Sequence, residues 1–164
     1  MPNYKDFTIN YQGGNLVLNQ LKLKSLAGCP EHITGDFKCN YNIITSLVGG
    51  PQRVDGSYDC RNNELTSLEG CASHIGDILL CTSNLITTLV GIHKIVKSCN
   101  KFSFRAHKIS MGGIGLLLID NLELISASSI AFGIIRTYLG TGTKGMMECR
   151  KELISKGYDN HAKL

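Results

Sequence analysis

Ser25 to Thr45 reads SLAGCPEHITGDFKCNYNIIT, and the stretch that follows, Ser46 to Thr66, reads SLVGGPQRVDGSYDCRNNELT. A third copy, SLEGCASHIGDILLCTSNLIT, runs from Ser67 to Thr87. A fourth, TLVGIHKIVKSCNKFSFRAHKIS, starts at Thr88 and is two residues longer. The first three share a period of 21 residues. A tandem repeat of this length decides the fold, because one unit is too thin to bury its own apolar edge and is stable only when stacked on its neighbours.

The period sorts the residues into columns. Leu26, Leu47, Leu68 and Leu89 form one, and Gly28, Gly49, Gly70 and Gly91 the next. Ile33, Val54, Ile75 and Val96 are assigned to a third. Phe37, Tyr58 and Leu79 lead into Cys39, Cys60 and Cys81, followed by Asn42, Asn63 and Asn84, then Ile44, Leu65 and Ile86. One period upstream, Leu16, Leu18, Leu21 and Leu23 fit as a degenerate first rung with Leu in the Asn column.

The unit is therefore apolar-x-Cys-x-x-Asn-x-apolar, a leucine-rich-repeat-like pattern with Cys at its second apolar position. Residues two apart on a strand face the same way, so Phe37 and Cys39 point inward together. The chain must then turn, and an Asn amide inside the stack can pair backbone groups that would each cost about 1–3 kcal/mol if buried alone. The Gly column, with Pro30 and Pro51, suits a tight return path. The expected fold is a short parallel β solenoid.

The pattern resembles the short leucine-rich repeats of bacterial effector proteins. It is more closely similar to repeat proteins of T-even-like bacteriophages, through Leu65-Thr66-Ser67-Leu68 and the run Cys29 to Cys39, CPEHITGDFKC. Gly115 to Asp120 and Cys149 to Ile154 resemble the ending of that family. The resemblance covers nearly the whole chain and implies fold and lineage, but no activity. The fourth unit departs from it, with Phe104 for the Cys and His107 for the Asn, so a distorted ladder is expected there.

Solenoid ends must be covered. Residues 1–24 are assigned to an N-terminal cap and the degenerate rung, with Phe7 to Tyr11 as a strand and Gly13-Gly14 as a turn. Residues 25–110 are the repeats, and residues 111–164 an α-helical C-terminal cap. Ile114 to Ile119 reads equally as strand or short helix. Ser128 or Ser129 can cap a helix to about Leu139, and a second helix is expected over Lys144 to Lys156. The pair serves either as the cap or as a dimerisation surface, and the oligomeric state is left open.

The chain has 164 residues and a formal charge of only +4, too little for the dense basic patch of a nucleic-acid binder. No apolar run is long enough to span a membrane, and the start lacks the pattern of a secretory signal. Seven Cys, an odd number, point to a reducing cytoplasm. Stacked Cys39, Cys60 and Cys81 would lie in a line rather than converge, which suits packing and not zinc, so no metal and no cofactor is expected. His32, Arg53 and His74 share a column on the return path without an evident nucleophile or carboxylate. Gly112-Gly113-Ile114-Gly115 lacks the Lys of a phosphate loop and reads as a turn. An enzyme using Glu148, Glu152 or His161 has no converging constellation behind it. No catalytic residue is assigned.

The outward strand positions remain. Lys38, Asn40, Tyr41, Asp59, Arg61, Asn62, Leu80, Thr82 and Arg105 form the candidate binding face, with Tyr41, Arg61 and Arg105 as anchors. The expected role is protein binding. By lineage, the partner would be a host-encoded protein in the cytoplasm of the infected bacterium, such as a defence component that is blocked. Nucleic-acid binding and self-assembly into a structural part of the phage are the alternatives.

Overall fold

Each repeat contributes two short extended segments, and each pairs in parallel with its equivalent one turn on. The computed structural model describes residues 11–125 and 129–164. Its strands are β1 (Leu16–Val17), β2 (His32–Ile33), β3 (Phe37–Lys38), β4 (Arg53–Val54), β5 (Tyr58–Asp59), β6 (His74–Leu80), β7 (Ser98–Ser103) and β8 (Glu123–Ile125). One wall runs β1-β3-β5-β6-β7-β8, and the other runs β2-β4-β6-β7. The long strands β6 and β7 belong to both. The result is a parallel β solenoid of about five turns with helices near its C-terminal end.

The first wall aligns Leu16, Phe37, Tyr58, Leu79, Phe102 and Leu124 in one register, and all are buried. Leu18, Cys39, Cys60, Cys81 and Phe104 are buried with them. Phe37 meets Tyr58 edge to face at 4.9 Å between ring centroids, a geometry favoured by the ring quadrupoles.

The Asn column sits where the chain leaves the wall. Asn63 Nδ2 donates to Cys39 O at 3.0 Å and Cys60 O at 3.1 Å, while its Oδ1 accepts from Ile44 N at 3.1 Å. Asn84 repeats this with Cys60 O, Cys81 O and Leu65 N. Asn42 donates to Leu18 O and Cys39 O and accepts from both Leu21 N and Leu23 N. Each amide thus closes its own corner and fastens the corner before it. Two smaller columns assist. Ser25, Ser46, Ser67 and Thr88 each accept through their hydroxyl from the N–H two residues on. Asn15 Oδ1 accepts from Asp36 N, and Asp36 Oδ1 from Ser57 N, at the corner between the walls.

Gly28, Gly49, Gly70, Gly91 and Gly112 all have positive φ, between 76° and 93°. The glycine column therefore runs one turn beyond the fourth repeat. A Cβ on Gly70 would overlap Val48 N, and one on Gly112 would overlap Val90 N. These positions need glycine twice over, for backbone conformation and for close approach of adjacent turns.

The fourth turn departs from the others, as its altered residues suggest. A short helix, α1 (Ile92–Ile95), follows Gly91. Ile75 consequently pairs with Cys99, so Val96, though buried, does not continue the Ile33–Val54–Ile75 column. A 3-10 turn, Ala106–Lys108, replaces the Asn corner. The ladder then continues past residue 110. Thr88 bridges to Met111 and Ser98 to Asp120, and β8 pairs with β7, so a further turn occupies the first part of the segment assigned to the cap. Its Ile114–Leu118 stretch is a 3-10 helix.

The end is covered by α2 (Ile130–Thr137) and α3 (Gly142–Ser155). Ser129 caps α2, its hydroxyl accepting from Phe132 N. Phe132, Ile135, Cys149 and Leu153 are buried, and Phe132 packs edge to face on Phe104 at 4.9 Å. Arg136 donates to Leu124 O, and Tyr138 donates to Glu152 of α3. At the other end Tyr11 accepts from Thr34 N and donates to Gly14 O. Of the expected strand Phe7 to Tyr11 all but Tyr11 lies outside the described residues, as does the candidate cap Ser128.

Gly70 and Gly91 separate the two demands on this column, because a Cβ on Gly91 meets nothing within 4 Å. Gly91→Ala should cost about 1 kcal/mol for its positive φ alone. Gly70→Ala should cost roughly 2 kcal/mol more, through backbone overlap. Urea unfolding of the two variants checks the difference.

Candidate functional site

Between the inward residues of the first wall lie the outward ones. The register aligns Lys38, Asp59, Leu80 and Ser103, each on its own turn. Asn40, Arg61, Thr82 and Arg105 follow two residues later on those turns, then Tyr41, Asn62 and Ser83 at the corners. Gln20, Tyr41, Asn62 and Ser83 are 21 residues apart and all have φ between 54° and 59°. This left-handed step reverses the chain, and it holds Tyr41 N on Arg61 O and Asn62 N on Thr82 O. Tyr41 is left 56% exposed, a large ring presented on an ordered backbone.

The rest of the face is more engaged than alternation alone implies. Asp59 is buried, not displayed: its side chain is only 6% accessible. It accepts a two-pronged contact from Arg61, Nε to Oδ1 at 2.9 Å and an Nη to Oδ2 at 2.7 Å. Asn40 is also buried. Alternation fixes the direction of a side chain, whereas neighbours on adjacent turns decide its depth. Arg61 is therefore both a surface cation and the partner of a nearly buried carboxylate. Lys38 Nζ lies 3.1 Å from Asp36 Oδ2. The Ser57 amide and, secondarily, Lys38 hold the Asp36 carboxyl below its usual range. Leu80, Thr82 and Asn62 are half-buried, and Arg105 is exposed with an Nη donating to Ser83 Oγ at 3.2 Å.

The second wall carries a cluster that the sequence reading leaves without its acid. His32, Arg53 and His74 are in register as expected. Asp55 joins them, with Oδ2 at 2.8 Å from His32 Nε2 and Oδ1 accepting from Arg53 Nε at 2.7 Å. The His32 hydrogen bond, then Arg53, lowers the Asp55 pKa. His74 Nδ1 is 2.9 Å from Ser73 Oγ. The carboxylate thus engages His32 and Arg53, while the Ser–His pair belongs to a different turn, and a Ser–His–Asp relay is not assembled. The signal for Asp55 was its position two residues beyond the His/Arg column.

The residues weighed in the helical end have separate partners. Glu148 pairs with Lys151, Glu152 accepts from Tyr138, and His161 Nδ1 lies 2.9 Å from Gly112 O. Gly112 and Gly113 form a turn of positive φ ahead of buried Ile114. Among the described residues, no group of three or more His, Cys, Asp or Glu could hold a metal, and no helix is long and apolar enough to cross a membrane.

All seven cysteines are free thiols. Burial pushes Cys39, Cys60, Cys71 and Cys81 well above the ordinary thiol range, Cys29 up to about 12, and Cys99 and Cys149 up to about 11. Reaction requires thiolate and access, and both are scarce. Comparison with protein-family models, curated proteins and solved structures finds no match for this chain.

The thiols give a direct check on the packing. At pH 8 the native protein should be alkylated by iodoacetamide slowly, whereas the denatured chain takes up seven equivalents. Fast native labelling of Cys39, Cys60 or Cys81, read by mass spectrometry, would contradict their buried placement.

Proposed function

We propose that the chain is a protein–protein interaction module that holds its partner on the outward side of the first wall. The observation that carries this reading is the contrast between the two sides of one ladder. Inward positions repeat the same chemistry turn after turn. The outward positions change from Lys38 to Asp59 to Leu80 to Ser103, although the backbone that carries them is the same. Packing constrains the first set throughout, whereas of the second it buries Asp59 and Ser103 and leaves Lys38 and Leu80 accessible for recognition. Tyr41, Arg61 and Arg105 are residue types enriched where interfaces draw their energy. Lys38, Asn62, Leu80 and Thr82 complete the contact surface, and Asn40 and Asp59 support it from below.

The repeat is read as leucine-rich-like, and its resemblance to phage repeat proteins favours a host-encoded partner. The module would then act in the cytoplasm of the infected cell by occupying or blocking that protein. It does so by binding, without catalysis.

Because Asp59 is nearly buried, Arg61→Ala would strand a carboxylate and cost about 2 kcal/mol of stability. The cleaner test is Tyr41→Ala combined with Arg61→Lys, which keeps a cation beside Asp59. Capture of a host protein on the tagged module should fall by about 2 kcal/mol in affinity while circular dichroism is unchanged. Undiminished capture would remove this face from consideration.

A further inference from the structure

We infer that the fourth turn carries a binding site for the carboxylates of an acidic peptide segment, in the recess where Arg105 and Lys108 stand beside Thr82 and Ser83. This rests on the protein-binding reading above and adds the chemistry of the partner.

The first observation is the distribution of charge along the solenoid. From Ser25 to Asp77 there are seven carboxylates and three cations. Between Asp77 and Asp120 there are five cations, Lys94, Lys97, Lys101, Arg105 and Lys108, and no carboxylate at all. The mild overall charge of +4 conceals this separation.

The second observation uses the repeat as its own control. In the two repeats from Ser25 to Thr66 each Lys and Arg has an aspartate two residues away and in contact: Lys38 with Asp36, Arg53 with Asp55, Arg61 with Asp59. Arg105 stands in the Arg61 column, since the ladder pairs Asp59 with Leu80 and Leu80 with Ser103. Where Arg61 has Asp59, Arg105 has Ser103. Among the described residues no carboxylate pairs with Arg105 or Lys108. The turn retains the guanidinium and lacks the acid that neutralises it one repeat earlier, so an external carboxylate has a geometric precedent within the chain.

The third observation is the shape. A recess opens where the 3-10 turn Ala106–Lys108 replaces the Asn corner, and its rim brings together Thr82, Ser83, Arg105 and Lys108 over apolar Leu89 and Ile109. Arg105 is steadied by Ser83 through one of its five N–H donors, which leaves others for a planar carboxylate. Lys101, by contrast, stands opposite Glu123 in the ladder.

A peptide fits this site better than a nucleic acid. A phosphate backbone needs cations along its track, and single strands need aromatic platforms for the bases. Here the preceding turns are acidic, and the exposed ring of the face, Tyr41, lies two turns away from Ser83. A short acidic segment needs only to set a carboxylate between Arg105 and Lys108 at the rim, with the rest of its chain on the surface.

The test is fluorescence anisotropy with a labelled oligoglutamate peptide, a Gly/Ser peptide of the same length and an oligothymidylate of matching length, at low and rising salt. The oligoglutamate should bind more tightly than both others. Arg105→Gln with Lys108→Gln, two exposed positions, should weaken it roughly tenfold. Lys94→Gln with Lys97→Gln, which removes the same charge outside the recess, should leave it within about twofold. Equal losses in the two variants, no preference for oligoglutamate, or tighter oligothymidylate binding would each overturn the inference. Because the titration uses the purified protein alone, its failure is distinct from a failure of host-protein capture by the Tyr41 face.

Discussion

The structure depends on a side-chain amide inside a β stack. Strand pairing alone joins only two to seven residues per turn, and the corners between would leave buried N–H and C=O groups without partners. Asn42, Asn63 and Asn84 supply both donor and acceptor at those corners, and each reaches across to the turn before it. No other side chain of that size offers two donors and an acceptor without a charge to desolvate. The apolar columns supply the driving force, but the amides fix the register in which they stack. The glycine column works at another corner, where the backbone takes a positive φ and, at Gly49, Gly70 and Gly112, adjacent turns approach so closely that a methyl group has no space.

This division separates structural from recognisable surface. Inward positions answer to packing, corners to hydrogen bonding and backbone conformation, and outward positions more loosely to both, since Asn40 and Asp59 are buried while Lys38, Tyr41 and Arg105 are not. Charges at the accessible positions can therefore differ from turn to turn with little effect on the stack. The chain uses that freedom unevenly: Lys38, Arg53 and Arg61 pair with aspartates of their own repeats, whereas among the described residues no carboxylate pairs with Arg105 or Lys108. The fourth turn is also where the amide ladder ends, so loss of the regular corner and accumulation of positive charge coincide.

Much of the architecture was legible because one chemical demand recurs at one spacing. The Asn, Gly and inward apolar columns each show the same residue type 21 residues apart, and each is found in register. The Val96 assignment failed for a definite reason: a length excess in the fourth unit does not reveal where it is accommodated, and α1 places it before Cys99. The last turn was hidden because it lacks Cys and Asn in their columns, although Gly112 stands one period after Gly91. On the candidate face, periodicity gave the direction of Asp59 and Asn40 but not their burial, which depends on packing between turns. The Asp55 contact to His32 and Arg53 likewise emerges only when two turns are brought side by side.

The most direct measurement of the central claim is native-state hydrogen exchange at Ile44 and Leu65, the amides that donate to the Asn63 and Asn84 side chains. Neither belongs to a strand, so conventional corner amides would exchange quickly. If the side-chain amides hold the stack, both N–H groups should be protected to the same degree as Phe37 and Cys60, which donate across the ladder. Exchange of Ile44 and Leu65 at the rate of unprotected corner amides, with Phe37 and Cys60 still protected, would show that strand pairing carries the solenoid without them.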